Sequence, residues 1–199
     1  MKKLIYLMLI FGLLASFVGC KSDSKEEDYF ETTLIFDKNE SITDVIVEPF
    51  SEDYYSEDGL NAYFQEKISE YNSTNIGQGE VKLNELKIED GKAKASLVFD
   101  SSDTYTAFYG TNAFYGTVSK AYDKGLIAET VLKKVGSNET ISKIDLMKMD
   151  DVEIIVVSEV VRVKSPKKII YTSANVELID EKNARVSSDS TGLAYIVVK

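Results

Sequence analysis

The chain has 199 residues, of which 44% are hydrophobic and 11% aromatic, and this composition excludes a disordered chain and allows one substantial core. Its formal net charge of −10 argues against nucleic acid as a partner, because phosphate contacts dominate that affinity and require a basic surface. With no histidine and a single cysteine, the chain cannot form Ser-His-Asp or Cys-His nucleophile systems or histidine zinc sites.

The amino terminus has the pattern of a secretory signal. Met1-Lys2-Lys3 is positively charged, and residues 4–19 form an uncharged, mostly apolar run. This run is too short for a comfortable membrane span, which needs about 20 residues. A positive start, a short apolar segment and small residues before a break are typical of a cleaved signal. We therefore predict that residues 1–19 are removed.

The stretch Phe17-Val18-Gly19-Cys20 resembles a bacterial lipobox, although Phe17 replaces the usual leucine. The alternative is a plain secreted protein, or a short N-terminal anchor, with an incidental cysteine. Cys20 is the only cysteine and cannot form an intramolecular disulfide. The resemblance implies cleavage before Cys20 and lipid on its thiol, which would anchor the protein to a cell membrane, facing the outside of the cytoplasm. Residues 20–29 are then a flexible, charged tether.

Alternating strands and one amphipathic helix are predicted for the first half of the domain. Residues 32–37 and 42–49 have strand patterns, and Ser56 is a candidate N-cap for a helix. The runs 81–88 and 93–99 flank an Asp-Gly pair, which is a strong hairpin signal. The apolar positions of the predicted helix are Leu60, Tyr63, Phe64, Ile68 and Tyr71.

The second half is predicted to become mostly β. Residues 126–135 have a pattern that indicates a short helix ended by Gly136, and the runs 144–149, 152–163, 168–178 and 184–198 are predicted as strands. The predicted fold class is α+β, with two or three helices on an antiparallel or mixed sheet. We assign residues 30–150 to an α+β domain and residues 151–199 to a β-rich extension packed on that domain.

One internal repeat is a candidate binding surface. Ala-Phe-Tyr-Gly-Thr occurs at residues 107–111 and again at 113–117. Exposed aromatics of this kind could stack on a sugar ring or on a partner protein. The alternative is a helix whose aromatic side chains pack on a sheet. The candidate surface comprises Tyr105, Phe108, Tyr109, Phe114 and Tyr115.

Acidic residues suggest two further kinds of chemistry. Residues 51–59 contain four acids and two tyrosines, but their spacing differs from a calcium-binding loop. Acids at the start of a helix explain the same pattern, so we predict no metal site, and no cofactor motif is present. A hydrolase that uses two carboxylates would need a facing pair, which the sequence does not identify.

A resemblance to the GerMN domain, found in lipoproteins of sporulation and spore germination, covers residues 30–150. Residues 86–97 resemble its central hairpin, and residues 126–132 and 141–146 are similar to its second helix and last strand. The Gly-Pro pair usual after the first helix is missing, with Ile76-Gly77-Gln78-Gly79 in its place. The residues after Met149 are not accounted for. The resemblance implies a module that assembles with protein partners and has no catalytic residues.

These observations favour a membrane-anchored, extracytoplasmic lipoprotein with a binding or envelope-assembly function over an enzyme. Its expected partners are the membrane, through lipid on Cys20, and a protein of the cell envelope. The alternatives are a lipoprotein that binds a glycan or small ligand through the repeat, and a carboxylate-based hydrolase.

Overall fold

The structure, a computed structural model, describes residues 29–52, 55–187 and 192–199. The predicted signal peptide, Cys20 and most of the predicted tether lie outside these segments. The described residues form four helices and thirteen strands in two sheets, which confirms the predicted α+β class and the β-rich C-terminal part. None of the described helices is both long enough and apolar enough to cross a membrane.

The elements follow one another along the chain with short connections. The helices are α1 (Glu57–Thr74), α2 (Ser102–Tyr109), α3 (Val118–Asp123) and α4 (Lys143–Leu146). The strands are β1 (Thr33–Phe36), β2 (Ile42–Pro49), β3 (Val81–Glu89), β4 (Lys92–Phe99), β5 (Ala113–Thr117), β6 (Val131–Lys134), β7 (Thr140–Ser142), β8 (Glu153–Val157), β9 (Arg162–Lys164), β10 (Ile169–Thr172), β11 (Val176–Leu178), β12 (Asn183–Val186) and β13 (Ala194–Val198).

The two sheets combine strands from distant parts of the chain. The first has the order β11-β12-β9-β1-β2-β4-β3 and is mixed, because β1 pairs in parallel with β9. The second has the order β5-β8-β13-β10-β6-β7, and its pairs are antiparallel. Residues of both sheets meet in one large apolar cluster, so the sheets pack against each other.

Strand β8 contributes to two cores at once. Ile155 and Val157 belong to the cluster between the sheets, whereas Ile154 and Val156 belong to a second cluster. Successive side chains of a strand point to opposite faces, so β8 is buried on both sides. The second cluster also contains residues of α3 and α4, which cover the outer face of this sheet.

Local signals in the sequence explain the hairpin and the long helix. Asp90 and Gly91 have φ angles of 50° and 69°, as a tight two-residue hairpin between β3 and β4 requires. The Ser56 side chain accepts a hydrogen bond from the Gly59 N–H and caps α1, as predicted. The second half of α1 is held down by Ile68 and Tyr71, which are buried.

The prediction of a helix at residues 126–135 was wrong. Val131 is 61% exposed and Leu132 is fully buried, which is the alternation of a strand, and β6 pairs with β10 and β7. A short apolar run fits helix and strand patterns alike, and here pairing with distant residues decides between them. The second helix implied by the GerMN resemblance is therefore not formed at residues 126–132.

The predicted strand at residues 144–149 was also wrong. Ser142 and Asp145 form a reciprocal capping box, in which each side chain accepts a hydrogen bond from the other residue's backbone N–H. This box starts α4 immediately after β7. The four-residue helix buries Leu146 against the second cluster.

Replacing Ile154 or Ile155 with alanine tests whether β8 supports both clusters. Each side chain is fully buried, so we expect each substitution to lower the free energy of unfolding by about 2–5 kcal/mol. Ile144→Ala is the control, because Ile144 is largely exposed and should change stability by less than about 0.5 kcal/mol. Urea denaturation measures all three. A near-neutral result for either β8 variant would contradict burial on that face.

Candidate functional site

The two copies of the repeat adopt different secondary structures. In the first copy, Ala107, Phe108 and Tyr109 end helix α2, and Gly110 closes it with a φ of 75°. The second copy, residues 113–117, is the whole of β5 and pairs with β8. The same five residues therefore form a helix end and a strand, because different neighbours surround them.

The aromatic surface predicted from the repeat is not formed. Tyr105, Phe114 and Tyr115 are buried, Phe108 is partly buried, and only Tyr109 reaches 37% exposure. Phe114 points into the second cluster, away from the others. The alternative, that these rings pack in the interior, describes their position better, although only one copy is helical.

Two tyrosines of α2 bind carboxylates inside the structure. The Tyr109 hydroxyl donates a hydrogen bond to Asp44 Oδ2 at 2.8 Å, and the Tyr105 hydroxyl donates to Glu159 Oε1 at 3.0 Å. The Thr111 hydroxyl donates to the same Glu159 oxygen. The two tyrosine rings are 4.9 Å apart. The result is a compact polar network next to the apolar cluster.

Burial makes Asp44 an unusual acid. Loss of hydration on burial is the main cause that raises the pKa of Asp44 from 3.8 to about 6. The hydrogen bond from Tyr109 partly lowers this pKa, and the nearby charge of Glu159 raises it further. Burial likewise raises the pKa of Tyr105 and of Tyr109 far above the ordinary range, so both hydroxyls keep their protons as donors.

A larger feature lies further along β2. A cavity of about 470 Å³ separates the first half of α1 from strands β2 and β4. Its floor contains Ile46, Ala93 and Ala95. Ile46 pairs directly with Ala95, and the small alanine side chains leave space below the helix. This volume is within the range of small-molecule sites, about 300–1,000 Å³.

Aromatic side chains form the walls of this cavity. Phe50 and Tyr55 are stacked, with ring centroids 4.9 Å apart, and Tyr63 and Phe64 come from α1. Tyr55 is 44% exposed and Tyr63 is 55% exposed. Tyrosine at a cavity mouth combines an apolar ring with a polar hydroxyl, a combination common in binding sites. We call this feature the α1 cavity.

The start of α1 brings the acidic segment to the rim. Ser56 and Gly59 both line the α1 cavity, and a Cβ on Gly59 would lie only 2.7 Å from Ser56 Oγ, so glycine keeps the cap undisturbed. Glu57 and Asp58 are exposed in the first helical turn. Asp53 and Tyr54 lie outside the described residues. Within the described part of the chain, no group of acidic side chains has the arrangement of a metal site.

The sequence did not identify the α1 cavity, although it contained two of its signals. The helix pattern included Leu60, Tyr63 and Phe64, and the hairpin strand placed alanines at positions 93 and 95 on one face. Two small residues facing an amphipathic helix indicate space beneath it. Only the pairing of β4 with β2 shows that Ile46 joins the same floor.

Comparison of the chain with protein-family models, curated proteins and solved structures gives no significant match. The likeness to the GerMN domain therefore rests on the quoted residues alone.

Replacing Asp44 with asparagine should stabilise the protein at pH 7. The native carboxyl ionises near pH 6 and the unfolded one near 3.8, so the native state binds more protons between these values. Stability therefore falls as pH rises through this range. The difference corresponds to roughly 3 kcal/mol at most, and we expect Asp44→Asn to recover about 1–3 kcal/mol.

Urea denaturation at several pH values between 4 and 7 measures this effect. The fall in stability with pH should be smaller in Asp44→Asn than in the unsubstituted chain. Asp123→Asn, at an exposed position on α3, is the control and should leave the profile unchanged. An Asp44→Asn profile parallel to that of the unsubstituted chain would contradict a raised pKa for Asp44.

Proposed function

We propose that this protein is a lipid-anchored, extracytoplasmic binding protein that holds a ligand or a partner's side chain with an apolar body in the α1 cavity. The observation that carries the proposal is an open cavity of about 470 Å³ with an alanine floor and four aromatic side chains. Such surface is costly to leave hydrated, and covering it contributes roughly 25 cal/mol per Å² of apolar area.

The way α1 is held supports a preformed site. Ile68 and Tyr71 fix the second half of the helix in the cluster between the sheets. Asn72 adds a two-way link, because its side chain donates to the Val81 carbonyl and accepts from the Val81 N–H. In the first half of the helix, Phe64 packs against the same cluster, so this half is also held over the cavity floor. A preformed cavity lowers the ordering cost of binding.

The anchor is supported by the signal-like amino terminus and by Cys20. Strand β1 begins at Thr33, so the intervening segment can extend by at most about 40 Å. The domain would therefore remain close to the membrane surface, where a partner in the cell envelope can reach it. Its acidic character disfavours adhesion to an anionic lipid surface, so the lipid chains would carry the attachment.

Replacing Cys20 with serine should move the protein from the membrane fraction to the soluble fraction. Serine cannot form the thioether that carries the lipid, and acyl chains supply about 0.8 kcal/mol for each buried CH2 group. Fractionation together with mass spectrometry of the N-terminal peptide measures the outcome. Ser22→Ala is the control and should stay in the membrane fraction. A Cys20→Ser protein that remains attached would contradict the lipid anchor.

A neutral aromatic probe tests the cavity itself. We expect 2-naphthylmethanol to shift the amide NMR signals of Ile46, Ala93 and Ala95 in the unlipidated Cys20→Ser chain. Adding Tyr63→Ala should weaken binding about fivefold or more, which corresponds to about 1 kcal/mol. Tyr122→Ala is the control, because Tyr122 is half-exposed on α3, away from the cavity. Equal binding by both tyrosine variants would refute the proposed site.

A further inference from the structure

The charge around the α1 cavity is one-sided. Glu48 is the charged residue among those that line it, and no lysine or arginine is among them. Glu57 and Asp58 are exposed and adjoin the lining residues Ser56 and Gly59, and Glu52 is exposed in the loop between the lining residues Phe50 and Tyr55. Within the described residues these four acids form no ion pair with a basic side chain. No basic side chain of the described segments therefore neutralises the negative charge at the cavity.

Glu48 is positioned to meet an occupant. It lies on β2 opposite Ala93, on the same face as Ile46, since alternate residues of a strand share a face. Its small cross-strand neighbour offers neither a hydrogen-bond donor nor a covering side chain. An ammonium group in the cavity could therefore approach the Glu48 carboxylate across the apolar cavity floor.

The aromatic walls favour the same charge. The faces of tyrosine and phenylalanine rings carry negative potential and attract cations within about 6 Å of the ring centre. Phe50, Tyr55, Tyr63 and Phe64 all line the cavity. A carboxylate combined with several aromatic rings is an environment that favours an ammonium group over an anion.

The dipole of α1 favours an anion at the cavity, but its effect is smaller than that of the acidic side chains at the start of the helix. A helix N-terminus is equivalent to about half a positive charge and attracts anions. Glu57 and Asp58 occupy the first turn with full negative charges, and Ser56 already accepts the Gly59 N–H. The resulting charge at this end of the helix is negative.

We infer that the α1 cavity takes a cation with an apolar body, an organic ammonium group attached to a hydrophobic or aromatic moiety. This inference rests on the proposed function, because it specifies the chemistry of the occupant of that same cavity. The net charge of −10 adds a long-range attraction that speeds the approach of such a ligand.

Three probes with the same naphthyl body separate charge from apolar contact. They are (2-naphthylmethyl)trimethylammonium, 2-naphthylmethanol and 2-naphthylacetate, titrated into the unlipidated Cys20→Ser chain with Kd values from amide NMR shifts at Ala93 and Ala95. We expect the cation to bind about tenfold more tightly than the neutral probe, and the anion to bind more weakly than both. The advantage of the cation should decrease as salt is raised, because salt screens exposed charges.

Substitution of Glu48 identifies the group responsible. Glu48→Gln should weaken binding of the cation several-fold and leave the neutral probe within twofold. Glu177→Gln removes the same charge from β11, at the opposite edge of the same sheet, and should change neither value. Amide spectra of both variants establish that they are folded.

The outcomes separate this inference from the proposed function. If the neutral probe binds as tightly as the cation, or if Glu48→Gln leaves the cation's affinity unchanged, the preference for a cation is refuted and the apolar cavity remains a binding site. If none of the three probes shifts the cavity amides at millimolar concentration, both the inference and the proposed function are refuted.

Discussion

The burial of β8 and β13 on both faces is the constraint on which the rest of the structure depends. Alternate residues of these strands enter two different apolar clusters, one between the sheets and one beneath α3 and α4. A strand covered on both sides cannot shift its register without exposing apolar side chains or burying polar ones. The two strands therefore fix the second sheet, and the cluster between the sheets fixes the first sheet against it.

The α1 cavity is a consequence of that packing. The cluster between the sheets buries Ile68 and Tyr71 in the second half of α1, whereas Phe64 in the first half is only partly buried against it. Below the first half of the helix, strands β2 and β4 present Ile46, Ala93 and Ala95, of which the two alanines are small. The helix is rigid and its C-terminal half is fixed, so its N-terminal half stays above the cavity instead of closing it. The cavity lies where the packing beneath the helix is thinnest.

Asp44 lies between these two regions on β2. Ionising its carboxyl in the interior is costly, and two tyrosine hydroxyls with a nearby glutamate form the polar network in which it sits. The neighbouring position on the same face, Ile46, already belongs to the cavity floor. The side chains of β2 therefore change from core to buried polar network to cavity lining within a few residues, and this change separates the part that holds the fold from the proposed binding site.

The sequence by itself determined the elements whose signals are local. Ser56 predicts the start of α1 because its side chain meets a backbone N–H three residues away, and Asp90-Gly91 predicts the hairpin because both residues tolerate a positive φ. The apolar amino terminus and Cys20 predict the anchor in the same local way. The burial of the aromatic rings of the repeat could not be predicted, since it depends on which distant strands cover each ring.

Only the tertiary structure decided what the ambiguous segments become. Residues 126–135 form a strand because β10 and β7 offer hydrogen-bond partners, and the two copies of Ala-Phe-Tyr-Gly-Thr differ because β8 pairs with the second copy alone. The α1 cavity likewise combines side chains from β2, β4, α1 and the loop between β2 and α1. Hydrogen bonds to distant strands and apolar packing outweigh the small intrinsic preferences of these residues, and such contacts are not encoded in any short stretch of the chain.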